Sequence, residues 1–586
     1  MHMSAQKKTH IVLISVLSAL VFANTLPGNF VWDDEIQIVK NWRIRTLENI
    51  GSAFTTAFWS FLGTAAENQT NFYRPVQTVT YTLAYSIGGL SPVPYHAFSL
   101  LYHTTAGIFV YLIGIELMLN PAVALAIAAL FAVHPIHTEA VAWIAGIPDV
   151  ACGAFYFGAV WLFLKRRQWM ACGMFFLALL SKEMAVTLPL FLLLIPLPVE
   201  EGGATAGRPP RGVRVRGLGK NRPHAATVGA RVKYVLPFSG VLAVYFVIRI
   251  YALGFLATSH FDIQARWVDW ISLVPRVLGD YIRYALVPYP LSAFHLVPLK
   301  FEYRIASTVL GLSVILLAAG LTWWFRTRLP QAILWFAAFV VTLIPVFYFK
   351  GMSNTFFAER YLYIPSFAMI ALVVTTVSSL KIPKWNWIVG AVAVAFAIAA
   401  AYRNTTWWNS EQLYETTLAV QPEVAHMRIN LADIHLKRNE DEAARNLLSS
   451  AEQYMQSDEY VRYPYELYRT YVGLGAIEAR AGDYDRAREH FKKAIEVNPA
   501  GDWGYLYLGG VYMEADRDYS KAIQNFEKAM QLGPLNEVAR DYFGVAMLNQ
   551  KNYGEAIHYF QEALKINPNY QDARSHLAIA AQAKPQ

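Results

Sequence analysis

The sequence predicts an all-α protein in two parts, a polytopic membrane domain over residues 1–402 and a helical repeat domain over residues 403–586. Of the 586 residues, 55% are hydrophobic and only 16% are charged. That composition is too apolar for a soluble protein, and the chain is too long for one domain. Apolar runs dominate before Tyr402, and a charged region rich in Ala, Tyr and Leu follows it.

Eleven apolar runs are candidates for membrane-spanning helices. Lys7 and Lys8 precede the first run, and no small-residue cleavage site follows it. We therefore expect an uncleaved span rather than a removed signal peptide. Several runs are shorter than the roughly 20 residues that a straight span needs, which predicts tilted spans. The runs cover residues 11–26, 96–117, 122–133, 150–164, 169–180, 185–197, 234–253, 306–325, 331–347, 361–380 and 385–401.

Eleven spans place the two chain ends on opposite faces of the membrane, and the distribution of Lys and Arg orients them. Cytoplasmic loops carry an excess of positive residues. With the N-terminus inside, the inner segments are residues 165–167, the loop 199–233, Arg326 with Arg328, and Lys381 with Lys384. The loop 199–233 alone holds eight Lys and Arg against two Glu. We predict a cytoplasmic N-terminus and a repeat domain on the outer face, which is periplasmic or lumenal.

The outer loop 258–305 contains a segment that resembles a twelfth span. Residues 271–288 carry Arg276, Asp280 and Arg283 among apolar positions. Counting them as a span would move Arg326 and Arg328 outside. We therefore predict an amphipathic or re-entrant helix on the outer surface.

On this topology seven polar clusters fall on the outer face, and their convergence predicts a water-filled cavity there. The first two lie in the outer loop 27–95. The clusters are Asp33-Asp34-Glu35, Tyr73-Arg74-Pro75, residues 134–139, Asp149, Ser181-Lys182-Glu183, Asp280 with Arg283, and residues 357–360.

The acidic run Asp33-Asp34-Glu35 lies directly after the first span. Adjacent carboxylates near a membrane are costly unless water, a cation or a reacting group uses them. The alternative is a solvated cap or a topology signal, although acidic residues contribute little to topology. A carboxylate here can take the proton of a Ser or Thr hydroxyl as its oxygen attacks C1 of a sugar. A single displacement inverts the anomeric centre, and one carboxylate suffices because phosphate leaves without an acid.

The second requirement concerns the leaving group of the same reaction. If the sugar donor is a polyprenyl phosphate, the leaving phosphate develops negative charge and needs Arg or Lys nearby. Each candidate also has a structural alternative. Lys182 can pair with the adjacent Glu183, the adjacent charges of Glu359 and Arg360 can cap a helix, and Arg74 can anchor the first outer loop. The candidate phosphate ligands are Arg74, Lys182, Arg283 and Arg360.

His134 and His137 lie three residues apart and, with Glu139, suggest a metal site. Pro135 between them disturbs the helix that such spacing needs. We expect structural or substrate hydrogen bonds from these residues, and no metal.

After Arg403 the sequence repeats. Three tyrosines are spaced by 35 and 34 residues, and a Phe and a Pro repeat the same spacing. The frame Ala-x3-Phe-x2-Ala recurs three times, preceded by a degraded copy at residues 444–451. This is the tetratricopeptide signature of stacked helix pairs, which offer a concave face to peptides or partner proteins. The predicted repeats are 423–456, 465–499, 500–534 and 535–568, followed by a capping helix.

Several stretches of the chain resemble those of a known family, the transmembrane and tetratricopeptide-repeat (TMTC) proteins. With the repeats, the resemblance spans nearly the whole chain. The two long matching stretches, residues 131–141 and 358–366, are the specific ones. Shorter matches are Phe30-Val31-Trp32-Asp33-Asp34 with Asn41 downstream, Tyr73-Arg74-Pro75, Ser181-Lys182-Glu183 and residues 288–292.

The resemblance implies a GT-C membrane glycosyltransferase fold and protein O-mannosylation from a dolichyl-phosphate sugar. The chain is similar, more distantly, to the protein O-mannosyltransferases, whose first outer loop carries a catalytic Asp-Glu. Asp33 matches that Asp, and Asp34 is then the second acid. The chain departs from the family in having only about four repeats. Its compact loops and the lack of an organelle signal are typical of a prokaryotic relative with a polyprenyl phosphate carrier.

We therefore expect an inverting, metal-independent enzyme that moves mannose or another hexose from a polyprenyl- or dolichyl-phosphate carrier to Ser or Thr of a protein. No cofactor and no nucleic acid are expected, and the repeats dock the acceptor or an assembly partner. The alternatives are a non-catalytic membrane scaffold and a transferase that acts on a lipid or polysaccharide. The predicted catalytic residues are Asp33 and Asp34. The predicted substrate-binding residues are Arg74, His134, His137, Glu139, Asp149, Lys182, Glu183, Arg283, Glu359 and Arg360.

Overall fold

The computed structural model describes residues 4–62, 72–117, 119–195, 228–256, 266–327, 329, 331–349, 356–380, 382–456 and 464–583. The backbone alone is described for residues 228–231. Most of the loop 199–233 and the basic residues Arg328 and Lys381 lie outside the described residues. Within these ranges the chain is helical and contains no β-strand. Its contacts divide it into two compact units, residues 1–416 and 417–586.

The first unit is built from helices joined by short connections. Its longer helices are Ala5–Phe22, Pro75–Gly88, Val93–Glu116, Pro121–Val133, Ile147–Leu164, Gln168–Ser181, Val228–Leu253, Leu273–Leu286, Ile305–Phe325, Gln331–Leu343, Pro365–Ser379 and Trp385–Asn404. Shorter helices are Thr138–Ala142, Leu188–Leu194 and Trp267–Ile271. The helix Ser410–Val420 crosses from the first unit into the second.

Six helical segments among the described residues are long and apolar enough to cross a membrane. They are Ala5–Thr25, Val93–Glu116, Ile144–Leu164, Val232–Leu253, Phe301–Phe325 and Trp385–Trp407. The pair Pro121–Val133 and Pro135–Ala142, bent by 46°, gives a seventh if it forms one broken span. The predicted count of eleven is not confirmed. It requires the shorter apolar helices, such as Gln168–Ser181 and Pro365–Ser379, to cross as well.

The predicted amphipathic segment 271–288 forms the helix Leu273–Leu286. Its buried positions include Leu273, Val277 and Tyr281, which recur every four residues and therefore share one helix face.

The segment Ile144–Leu164 is the most enclosed of the six apolar segments, because 89% of its apolar stretch is buried. It packs between the helices Val93–Glu116 and Gln168–Ser181. Glycines permit close approach, because a Cβ at Gly158 would lie 3.1 Å from the ring of Phe109. Asp149 lies in the first turn of this enclosed helix. A carboxylate is thus buried within the unit, where it needs a partner.

The second unit consists of consecutive antiparallel helix pairs followed by a single helix. The pairs are Ala425–Lys437 with Asp441–Gln456, Pro464–Arg480 with Tyr484–Val497, Asp502–Glu514 with Tyr519–Leu532, and Glu537–Asn549 with Tyr553–Ile566, and the single helix is Gln571–Ala583. The three spaced tyrosines each open the second helix of a pair. Asp483, Asp518 and Asn552 cap those helices through their side chains.

One contact recurs in each of the last three pairs. The repeated phenylalanine of the second helix is fully buried against a glycine of the first helix. A Cβ at Gly475, Gly509 or Gly544 would lie 2.6 Å from the ring of Phe491, Phe526 or Phe560 respectively. The repeated Gly and Phe therefore fit together as one packing unit.

Gly544→Ala tests this packing unit. We expect it to destabilise the helices Glu537–Asn549 and Tyr553–Ile566 by about 1–3 kcal/mol, because the added methyl overlaps the Phe560 ring. Hydrogen exchange of these two helices in the purified chain measures the effect. Gly554→Ala is the matched control, since a Cβ there meets nothing within 4 Å. Equal protection in both variants would contradict the packing argument.

Candidate active site

The acidic run after the first span forms a tight turn that separates its carboxylates. Trp32 adopts a left-handed backbone conformation with φ 53°, which is strained for a bulky residue. Asp34 is fully buried. Its Oδ2 accepts from the backbone N–H of Val31 at 3.0 Å, and its Oδ1 accepts from the N–H of Ala145 at 2.8 Å. Glu35 is exposed.

Asp34 was predicted as the second catalytic acid, and the structure gives it a different position. Both of its oxygens are occupied by backbone N–H groups, and it is not among the residues that line the cavity described below. It joins the turn after the helix Ala5–Phe22 to Ala145, at the start of the segment Ile144–Leu164. Asp34 therefore holds the turn in place, while Asp33 carries the accessible carboxylate.

A cavity of about 450 Å³ opens beside Asp33. Its wall combines charged groups with aromatic rings, as is usual for a site that binds an amphipathic ligand. The described lining residues are Asp33, Gln37, Phe58, Trp59, Phe72, Arg74, Trp143, Ala145, Asp149, Lys182, Glu183, Met184, Val186, Tyr245, Phe246, Arg249, Leu256, Pro345, Val346, Tyr348, Arg360 and Tyr361.

Lys182 forms a buried ion pair in this wall. Its Nζ lies 2.6 Å from both carboxylate oxygens of Asp149, and each side chain is only 5% exposed. The alternative pairing of Lys182 with Glu183 is therefore not observed. Lys182 has an extended backbone, so that its side chain and that of Glu183 leave the chain on different sides.

Glu183 instead bridges two arginines. Its Oε2 lies 3.4 Å from Arg74, and its Oε1 lies 3.4 Å from Arg249. Sequence reasoning missed Arg249, which is 5% exposed and lies near the end of the apolar helix Val228–Leu253. A lone arginine within an apolar run is itself a signal for a functional site and could have identified it.

Glu139 holds Arg360 through two contacts, one to its backbone and one to its side chain. The backbone N–H of Arg360 donates to Glu139 Oε2 at 2.8 Å, and its guanidinium forms an ion pair with Oε1. The ring of Tyr361 lies beside both Lys182 and Arg360, at 4.8 Å and 5.0 Å from its centroid. Glu359 and Arg360 both lie in the short helix Glu359–Leu362, and their side chains contact other segments of the chain.

Glu359 lies away from the cavity and is completely buried. Its Oε1 accepts from the backbone N–H of Ser292 at 2.6 Å and contacts His295 Nε2 at 2.8 Å. The adjacent residues Glu359 and Arg360 thus secure two different parts of the unit.

Arg283 was predicted as a phosphate ligand, but the structure does not bring it to the cavity. Its guanidinium lies 3.7 Å from the centroid of the Tyr284 ring and donates to the carbonyl oxygen of Tyr289 at 2.8 Å. At the end of the amphipathic helix Leu273–Leu286, this side chain therefore contacts Tyr284 and Tyr289 and does not line the cavity.

The two histidines also lie outside the cavity wall and make buried hydrogen bonds. His134 Nδ1 accepts from the N–H of Ile136 at 3.2 Å, and His137 Nε2 lies 2.9 Å from Ser366 Oγ. Among the described residues no three His, Cys, Asp or Glu side chains are placed to share a metal ion.

The electrostatics of the cavity distinguish Asp33 from the other acids. Arg74, Lys182, Arg249 and Arg360 each contact a carboxylate. In the part of the chain that the structure describes, the Asp33 carboxylate accepts no hydrogen bond and forms no ion pair. Burial raises the pKa of Asp33 to about 6, and the charge of Arg360 limits the rise. Asp33 is therefore ionised near neutral pH and free to accept a proton.

Comparison with known proteins places these features in context. A protein O-mannosyl-transferase of Caenorhabditis elegans is 26% identical over 449 residues, 72% of this chain and 59% of the relative. Human TMTC4, also named a protein O-mannosyl-transferase, is 31% identical over 163 residues, 25% of this chain and 21% of its own length. The protein O-mannosyl-transferase Tmtc1 of Drosophila melanogaster is 32% identical over 182 residues, 30% of this chain and 21% of the relative. The chain thus matches 59% or less of the length of these relatives.

The C-terminal part has its own matches. Residues 392–581 match the family model of the tetratricopeptide repeat protein 21 C-terminal ARM domain. Among solved structures, the tetratricopeptide protein YrrB is 20% identical, with a TM-score of 0.23, over 30% of this chain and 84% of YrrB. The protein MamA is 21% identical, with a TM-score of 0.22, over 27% of this chain and 86% of MamA.

Asp34→Ala tests the structural assignment of the second acid. We expect the free energy of unfolding to fall by roughly 2–5 kcal/mol, because two buried backbone N–H groups lose their acceptor. The melting temperature of the purified protein in detergent measures this. Glu35→Ala, which removes an exposed carboxylate one residue away, is the control and should change it little. A normal melting temperature in Asp34→Ala would contradict the assignment.

Proposed function

We propose that this chain, a relative of the transmembrane and tetratricopeptide-repeat (TMTC) protein O-mannosyl-transferases, is a membrane glycosyltransferase. It transfers mannose or another hexose from a polyprenyl- or dolichyl-phosphate carrier to a Ser or Thr hydroxyl of a protein. The reaction inverts the anomeric centre and takes place on the outer face of the membrane.

One observation supports the proposal most directly. The unpaired carboxylate of Asp33 lines the same cavity as four cationic side chains, those of Arg74, Lys182, Arg249 and Arg360. A base and an anion-binding wall within one cavity are the two groups that this transfer needs. The aromatic lining supplies apolar surface beside them, which suits the first isoprene units of a lipid carrier.

In the proposed reaction the acceptor hydroxyl enters on the side of Asp33. Its oxygen forms a bond to C1 of the sugar while the bond from C1 to the phosphate oxygen breaks. The hydroxyl proton passes to Asp33, and the phosphate leaves with the electron pair of the broken bond. Because attack and departure occur on opposite faces of C1, the configuration inverts.

The cations of the wall stabilise the departing phosphate. Each cation already contacts a carboxylate, so the phosphate must compete with that carboxylate for the cation. Lys182 is held by two contacts of 2.6 Å, whereas Arg74 and Arg249 contact Glu183 at 3.4 Å. Charge is therefore more readily available from these two arginines. We propose that protein side chains offset the phosphate charge and that the reaction requires no metal ion.

The repeat domain is proposed to hold the acceptor protein or an assembly partner. Stacked helix pairs form extended surfaces that bind peptides and proteins. A protein acceptor is accordingly favoured over a lipid or polysaccharide.

Asp33→Asn tests the catalytic assignment. We expect transfer to an acceptor peptide to fall by about 10²–10⁴-fold, because the amide cannot take the proton. The melting temperature should be retained or rise, because burial raises the pKa of Asp33 and the folded protein therefore disfavours its ionised form. Intact-mass analysis of the peptide measures transfer, with Glu35→Gln as the control. Full activity in Asp33→Asn would refute the role of Asp33, and an inactive wild-type chain would favour a scaffold.

The pH dependence of transfer gives a second test. Since Asp33 must be ionised and burial raises its pKa to about 6, the rate should fall tenfold per pH unit below about pH 6. Initial rates measured from about pH 4.5 to about pH 8, which covers the pKa range of carboxyl and imidazole groups, give the profile. An acid limb near pH 4, the ordinary value for Asp, would mean that Asp33 is not the buried base.

A further inference from the structure

Gln37 lies one helical turn after Asp33 and lines the same cavity. The backbone N–H of Gln37 donates to the carbonyl oxygen of Asp33 at 2.9 Å. Residues spaced by four on a helical turn share one face, so that the two side chains enter the cavity together. A π-helical turn at Glu35–Val39 follows Asp33, a feature often found at functional sites.

Two buried side chains contact the amide oxygen of Gln37. Its Oε1 accepts from Gln77 Nε2 at 2.9 Å and from the Tyr81 hydroxyl at 3.2 Å. Both partners are buried, at 1% and 0% exposure. An amide oxygen has two lone pairs, and these contacts occupy both. Asn41 fixes the backbone by donating to the Gln37 carbonyl oxygen at 3.0 Å.

This arrangement leaves the amide N–H groups of Gln37 without an acceptor. Its side chain is only 6% exposed, and within the described ranges no protein atom accepts from its Nε2. An amide N–H that lines a cavity and has no protein acceptor is available to a ligand or to water. Gln77 and Tyr81 thus orient the Gln37 amide so that it presents a neutral donor to the cavity.

The position of this donor indicates what it binds. The proposed phosphate site consists of cations, whereas Gln37 is neutral and stands beside the base. Asp33 must lie near C1, and a residue one turn away is about 5–6 Å distant, roughly the width of a hexose ring. Hydroxyl oxygens of a sugar are suitable acceptors for a neutral amide.

We infer that Gln37 donates a hydrogen bond to a hydroxyl of the transferred hexose and thereby determines which hexose is accepted. This inference rests on the proposed function. Gln77 and Tyr81 are positioning residues, since they act through the orientation of the Gln37 amide.

Gln37→Met tests the inference, because methionine has a similar length but no N–H donor. Transfer is measured with polyprenyl-phosphate-linked mannose and with the glucose epimer, each at varied donor and acceptor concentrations. For the preferred sugar we expect kcat/KM to fall about 10-fold, and the ratio between the two sugars to move toward one. The KM for the acceptor peptide should stay unchanged. Gln571→Met, in an exposed position of the second unit, is the control.

Tyr81→Phe is the second variant, in case Gln37→Met does not fold. It removes one of the two donors that orient Gln37, so the sugar ratio should shift in the same direction by a smaller factor. An unchanged ratio in a folded, active variant overturns the inference, as does a change confined to the acceptor KM.

Failure of the proposed function gives a different result. If the wild-type chain transfers neither sugar, that proposal fails, and the inference is then decided by binding of the two lipid-linked sugars. Trp59 and Trp143 line the cavity, so that tryptophan fluorescence can report such binding. Equal binding of mannose and glucose carriers, or equal binding by wild type and Gln37→Met, would overturn it.

Discussion

The cavity of the first unit depends on the pairing of buried charges. A single unpaired charge in an apolar domain would cost several kcal/mol, which is why each cation of the wall contacts a carboxylate. Asp149, Glu183 and Glu139 supply these carboxylates from three different segments. The ion pairs therefore also join the segments around the cavity. Asp33 stands outside this pairing, and its burial without an ion-pair partner raises its pKa to about 6.

Adjacent charged residues take separate directions at three places in the structure. Asp34 is held by backbone N–H groups while Asp33 faces the cavity. Lys182 pairs with Asp149 whereas Glu183 joins two arginines, and Arg360 and Glu359 are similarly separated. In two of these cases one residue of the pair lines the cavity and its neighbour does not. Lys182 and Glu183 both line the cavity but contact different partners. The division is a consequence of backbone geometry, because successive side chains leave an extended strand or a tight turn on different sides.

The two units differ in how far their sequences specify them. In the repeats, Phe491, Phe526 and Phe560 recur with fixed spacing, and each is fully buried against a glycine as the frame requires. Each helix pair contacts its neighbours in sequence, so a local pattern is sufficient. In the first unit, hydropathy identifies apolar helices but not which of the shorter ones cross the membrane. Apolar residues that face lipid and those that face other helices look alike in sequence.

The sequence by itself determined the all-helical class, the repeat frame and the set of polar clusters, because periodicity and hydropathy are local properties. It also singled out Asp33, Arg74, Lys182 and Arg360. The tertiary structure decided the partners of these charges, placed Arg283 and the histidines away from the cavity, and added Arg249 and Gln37. These assignments depend on contacts between segments that are distant in the chain. The direction of a side chain and the partner that satisfies it exist only after those segments have packed.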